Sequence, residues 1–143
     1  MRLAFFHSGW DLYGASRSLL RLAGALRRDG HAVLAILPKP GPLASALQKA
    51  GVGVEDALGP RVLHRAEFRG ARSVPFLFGV PRSLARCHAS LRRFRPDLIH
   101  SNTGTVLTGA LSAKGAGVPH VWHVRDMFDE FGTLWKAWGR WIL

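Results

Sequence analysis

Only one of the 143 residues is a cysteine, Cys87, so no disulfide can form within the chain. No metal-ligand or nucleophile motif surrounds Cys87, and it reads as a buried, inert thiol. Carboxylates are scarce, with 9 Asp+Glu against 20 Lys+Arg and a formal net charge of +11. So few acids argue against a paired-carboxylate hydrolase. Lysine is scarce too: Lys39, Lys49, Lys114 and Lys136 are outnumbered by arginines. The excess positive charge favours anionic partners: nucleic acid, acidic lipid headgroups or a phosphorylated substrate. No apolar run reaches the roughly 20 residues that a membrane span needs. The first run, Leu3 to Phe6, stops at His7, too short for a secretory signal. The expected place is the cytoplasm, with a peripheral position on the inner membrane face as a further expectation.

Several chemical signatures are also missing. The loop Ser8 to Ser16 contains no G-x-G-x-x-G dinucleotide fingerprint, and no Gly-Lys-Ser/Thr follows it. Ser8 and Ser101 do not sit in a G-x-S-x-G elbow. His7, His100, His120 and His123 lack short-range ligand spacing, so no metal site and no cofactor are expected. Repeats and low-complexity segments are absent.

What remains is a globular chain, 48% apolar, of single-domain size. Residues 95–126 organise it. An apolar strand beginning at Asp97 ends in His100-Ser101-Asn102-Thr103; a small-residue helix runs over 105–114 to the stop signals Gly115 and Gly117; a second strand, 118–124, ends in Arg125-Asp126. This is the order of a parallel β-α-β unit. Upstream, the pattern predicts a strand at 2–7, a helix from Ser16 to Arg28 and a strand at 31–37. A short helix over 43–50 and a weak strand at 52–54 follow. Residues 59–81 keep no periodicity and read as loop or partly formed helix. Pro81 suits the first turn of a basic helix reaching Phe94. Phe128, Phe131, Trp135, Trp138 and Ile142 recur at helical steps, giving a last amphipathic helix over 127–143. The expected fold is α/β: a Rossmann-like three-layer domain over 1–126, its mainly parallel sheet flanked by helices.

Open α/β sheets bind ligands at the carboxyl ends of their strands. Three polar loops fall there. Gly14 lets a backbone approach a ligand, and the following helix N-terminus attracts an anion; Ser16 could equally cap that helix. Ser101, Asn102 and Thr103 offer groups for sugar or phosphate oxygens, or plain capping of the next helix. His123 and Arg125, beside the carboxylate of Asp126, add donors for anionic oxygens; equally, His123 could make an internal hydrogen bond and Arg125 could pair with Asp126.

Three segments together resemble the N-terminal domain of family 4 glycosyltransferases, which have the two-domain GT-B fold. They are YGASRSLLRLAGALRRDGHAVLAIL (13–37), RPDLIHSNT (95–103) and GVPHVWHVRD (117–126); GPLASALQKAGV (41–52) also fits. The resemblance implies transfer of a sugar from a nucleotide-sugar donor to an acceptor, usually with retention and usually without metal. The N-terminal half mostly holds the acceptor. Gly14 and Ala15 would face the donor phosphates or sugar, with Arg17 beside them. Ser101, Asn102 and Thr103 would bind substrate, and His123 would contact the transferring sugar as the catalytic residue. Arg125 and Asp126 would line the same cleft. Tyr13 stands where the family commonly has its first glycine. The donor-binding half carries a Glu-x7-Glu element, and Glu55, Glu67 and Glu130 form no such pair. The last helix is therefore expected to lead toward a missing second domain, and these residues alone to transfer nothing. The implied partners are a nucleotide-sugar donor, a glycan or lipid-linked acceptor of cell envelope polysaccharide type, and an anionic membrane surface; no nucleic acid is expected. The alternative is a stand-alone basic module that binds a phosphorylated ligand or nucleic acid.

Overall fold

The computed structural model describes residues 1–55, 73–104 and 106–124, with side chains from residue 79 onward in the helix that begins at Ser73. The expectations for 59–72, Thr105, Arg125, Asp126 and the 127–143 helix lie outside the described residues.

The chain alternates β1 (Arg2–Phe6), α1 (Gly14–Arg28), β2 (Ala32–Ile36), α2 (Pro42–Lys49), β3 (Gly53–Glu55), α3 (Ser73–Phe94), β4 (Leu98–Ser101), α4 (Leu107–Ala116) and β5 (His120–Trp122). All pairings are parallel, in the order β3-β2-β1-β4-β5. This is the Rossmann-like three-layer arrangement the pattern predicts. β1 from Leu3 onward and all of β2 are apolar because both faces are covered. On one face Leu3, Phe5, Val33 and Ala35 pack against Leu19 and Ala23 of α1 and Leu43 and Leu47 of α2. On the other, Ala4, Phe6, Leu34 and Ile99 pack against Cys87 and Leu91 of α3 and Ala113 of α4. Cys87 is a free thiol, as read, and burial pushes it up to about 11, far from a reactive thiolate. Among the described residues no helix is long and apolar enough to cross a membrane.

Strand order reverses at β1. The chain leaves β1 toward the face carrying α1 and leaves β4 toward the face carrying α4. Two adjacent strands whose connections diverge leave a crevice between their carboxyl ends.

The structure corrects several boundaries. α1 begins at Gly14, with Tyr13 at the N-cap and no side-chain cap bond. Ser16 is therefore a buried residue inside the first turn and not the cap. α3 begins at Ser73, so Pro81 lies inside the helix rather than in its first turn. Proline there forgoes one helical hydrogen bond. Downstream of it Cys87 and Leu91 lie in the core while Arg82, Arg86, Arg92 and Arg93 stay exposed. His100 and Ser101 belong to β4, paired with Phe5 and Phe6, and not to the loop after it. α4 starts at Leu107 with Val106 at its N-cap, so Ser101, Asn102 and Thr103 do not cap it.

α4 can lie close to the sheet because residue 109 is glycine. A Cβ there would stand 2.1 Å from Ser101 Oγ and 3.3 Å from Phe6 Cβ. Ser101 Oγ is held 2.9 Å from His120 Nε2, and Phe6 is fully buried, so neither yields cheaply. Gly109→Ala should gain up to about 1 kcal/mol of helix propensity and lose about 1–3 kcal/mol to overpacking. The expected outcome is a lower urea midpoint; an unchanged or raised midpoint would refute the close packing.

Candidate functional site: the rim at the ends of β1, β4 and β5

His7 follows β1 directly and is 1% exposed. Its Nδ1 is 3.1 Å from Asn102 Nδ2, and its Nε2 is 3.0 Å from Ser16 Oγ. Asn102 Nδ2 also lies 3.2 Å from the Ala15 carbonyl oxygen, which can only accept. That identifies the amide nitrogen and sets the direction of the chain. Asn102 donates to His7 Nδ1, His7 Nε2–H donates to Ser16 Oγ, and Ser16 donates to Asp11 Oδ1 at 3.2 Å. Asp11 Oδ1 also accepts the Tyr13 amide at 3.2 Å, which shapes the loop ahead of α1. Each bond in such a run polarises the next, and this one ends on a carboxylate.

Backbone bonds join the other strand ends to this unit. The Asn102 amide donates to Phe6 O at 2.9 Å, and the His123 amide donates to Ser101 O at 2.8 Å. Trp122 Nε1 donates to the Thr103 carbonyl at 2.7 Å, and the His123 ring stands edge-on to His100 at 5.8 Å. Gly9 passes directly over the histidine: a Cβ there would be 2.8 Å from Ser16 Oγ and 3.0 Å from His7 Nε2. Gly41 lets the β2–α2 loop back against Trp10, whose ring lies 3.7 Å from Lys39 Nζ.

The structure thus brings Gly14, Ala15, Ser101, Asn102, Thr103 and His123 to one rim. They are not equivalent there. Ser101 and Asn102 are fully buried and Thr103 nearly so. Ser101 is turned to His120, and Asn102 uses its amide nitrogen on His7 and Ala15. Asn102 Oδ1 is buried with no partner among the described residues. His123 and Arg17 are exposed. Gly14 is exposed with φ +39, and a Cβ there would meet nothing within 4 Å. The first turn of α1 has no side-chain cap and no acidic residue of its own, and the Asp11 carboxylate stands beside it on the Tyr13 amide and the Ser16 hydroxyl, partly offsetting its positive end. Trp10, Leu12 and Tyr13 are exposed on the same loop, Tyr13 at 83%. Sequence reasoning missed the bridging role of His7; its position at a strand end beside a polar loop was the only signal. Among the described residues no group of three or more His, Cys, Asp or Glu could hold a metal.

The glycosyl transferase 4-like domain matches residues 13–143, nearly the whole chain. The chain belongs to this family. Solved glycosyltransferases share its fold. MurG of Acinetobacter baumannii superposes with a TM-score of 0.67 at 16% identity, over 97% of this chain and 38% of that one. HepE of Anabaena, solved in complex with UDP, gives 0.54 at 24% identity, over 85% and 29%. SnogD of Streptomyces nogalater gives 0.57 at 26%, over 85% and 35%. None of the curated proteins matches by sequence. The glycosyl transferase 4-like chain spans about a third of the length of these structures, and its sheet corresponds to a GT-B Rossmann-like domain.

Burial lowers the pKa of His120, whose Nε2 meets Ser101 Oγ beneath the rim. The unfolded chain therefore takes up a proton at this site before the folded one does. The His120 contribution to stability is complete above the ordinary histidine value near 6.5. It falls as pH drops from there to the lower folded value, and is level below that. In urea melts across this window, His120→Gln should show a shallower loss of stability than the parent. Parallel curves would contradict the assignment.

Proposed function

We propose that this domain is the acceptor-side half of a glycosyltransferase that moves a sugar from a nucleotide-sugar donor to a lipid-linked or polysaccharide acceptor. Transfer would require a donor-binding half, either farther along the same protein or in a partner subunit. The observation that carries the reading is the convergence of the β1–α1 loop with the ends of β4 and β5, with Gly14 and His123 accessible on that rim. In the reaction the bond from the anomeric carbon to the diphosphate breaks, a bond to an acceptor oxygen forms as that hydroxyl gives up its proton to the leaving diphosphate or to water, and negative charge collects on the diphosphate. The Gly14 and Ala15 amides at the start of α1 suit that charge. His123 takes the transferring sugar, Arg17 adds positive charge, and Arg125 and Asp126, two and three residues beyond His123, complete the proposed set. Ser101, Asn102 and Thr103 serve it from beneath by fixing the loop that faces the substrate. The UDP in HepE and the thymidine diphosphate in the rhamnosyltransferase SpnG make nucleoside diphosphate donors the first to try.

The acceptor would sit against Trp10, Leu12 and Tyr13, whose apolar surface suits a lipid or a sugar face. The exposed arginines of α3 would hold the domain to an anionic membrane from the cytoplasmic side.

The test joins the chain to a donor-binding half and measures nucleoside diphosphate release from a panel of sugar nucleotides. No release by the chain alone, release by the joined protein, and a loss of about 100-fold or more in His123→Ala are expected. Should no sugar nucleotide turn over while unrelated nucleic acids bind with steep salt dependence, the stand-alone binding module replaces this reading.

A further inference from the structure

At the opposite edge of the sheet from the rim lies a cavity of about 550 Å³. It is walled by the last turns of α3 and α4 and by the turns leading into β4 and β5. Its size falls in the range of small-molecule sites, about 300–1,000 Å³. Leu91, Pro96 and Val118 give it apolar walls, with Leu91 and Pro96 buried. Arg92 and Arg95 line it, and neither guanidinium has a hydrogen-bond or ion-pair partner among the described residues.

A basic residue at a helix C-terminus ordinarily offsets the terminal carbonyls. Here that is done by other groups. Arg2 Nε donates to the Phe94 carbonyl at the end of α3, and the Arg2 amide donates to Asp97, the only carboxylate in the lining. At the end of α4, the Gly117 and Val118 amides close on Lys114 O and Ala113 O. Arg92 and Arg95 are therefore surplus to local neutralisation. Among the described residues Arg95 is also the one non-glycine residue with a positive φ, at 49°. An arginine in a conformation better suited to glycine is a strained position, and such positions cluster at ligand sites. Finally, His88 Nε2 in the wall is buried with no hydrogen-bond partner among the described residues. It is packed against Gly115, where a Cβ would stand 3.0 Å away.

We infer that this cavity is a second ligand site, distinct from the rim, for a phosphate ester carried on a compact apolar body. The two guanidiniums take the phosphate oxygens, and Leu91, Pro96 and Val118 cover the apolar part. The source could be a free phosphorylated metabolite or a lipid headgroup, since both present the same chemistry. The site does not depend on the transferase reading, because it shares no residue with the rim.

The test titrates the isotope-labelled chain with phenyl phosphate, inorganic phosphate and phenol, following backbone amide resonances. Phenyl phosphate should shift residues 91–97 and 115–118, leave Gly14 and Ala15 unmoved, and bind at least about tenfold more tightly than either fragment. Arg92→Ala with Arg95→Gly should weaken it by about tenfold or more; glycine suits the backbone at 95. Arg21→Ala with Arg28→Ala removes equal charge from exposed positions on α1 and should leave it unchanged. Vesicles with and without phosphatidic acid form the second arm. Vesicle binding that depends on Arg92 and Arg95 assigns a lipid headgroup, and phenyl phosphate binding without it assigns a soluble ester. No shift in 91–97, no binding in either arm, or an equal loss in both double variants would overturn the proposal.

Discussion

A buried imidazole, His7, is the joint on which the candidate site depends. It accepts a hydrogen bond from Asn102 at the end of β4 and donates one to Ser16 in the first turn of α1. The two partners stand on connections that leave opposite faces of the sheet. Asn102 also donates to the Ala15 carbonyl, so the two diverging loops are tied both through His7 and beside it. A buried polar group left unpaired costs about 1–3 kcal/mol, so satisfying His7 at both nitrogens also selects one arrangement of the loops. Gly9 belongs to the same solution, since no side chain fits above the His7–Ser16 bond.

The sheet then does the positioning. β1 is central, β4 lies beside it in register, and β5 follows, so three strand ends arrive at one edge. α4 holds its place through Gly109, which brings the helix onto Phe6 and Ser101. The membership of the chain in the glycosyl transferase 4-like family agrees with this geometry. The basic cavity at the far edge uses none of these contacts. Its arginines are gathered by the turn at Arg95, where the chain enters the same strand, β4, from below.

Much of this was legible in the residues. Leu3 to Phe6 and Val33 to Leu37 are apolar without interruption, and only strands covered on both faces read that way. Gly117 ended α4 where expected, with positive φ, whereas Gly115, read as a stop as well, lies inside the helix. The failures have physical causes. His100 and Ser101 looked like loop residues because they are polar, yet Phe5 stacks on one and His120 bonds the other within the sheet. Pro81 looked like a helix start because proline is best tolerated there, while the packing of Cys87 and Leu91 carries α3 as one helix. The bridge from His7 to Asn102 spans 95 residues, and no local pattern announces a contact of that separation. The resemblance of three segments to family 4 glycosyltransferases supplied the family, and the geometry supplied the distinction between residues that face outward and residues that brace them.

The most direct measurement is a double-mutant cycle between His7 and Asn102, using alanine at each and urea unfolding as the readout. A coupling of about 1 kcal/mol or more between the two is predicted, because each variant removes the same shared bond. Effects that add within about 0.3 kcal/mol would mean that the His7–Asn102 bond does not hold the loops together, which would contradict His7 as their joint.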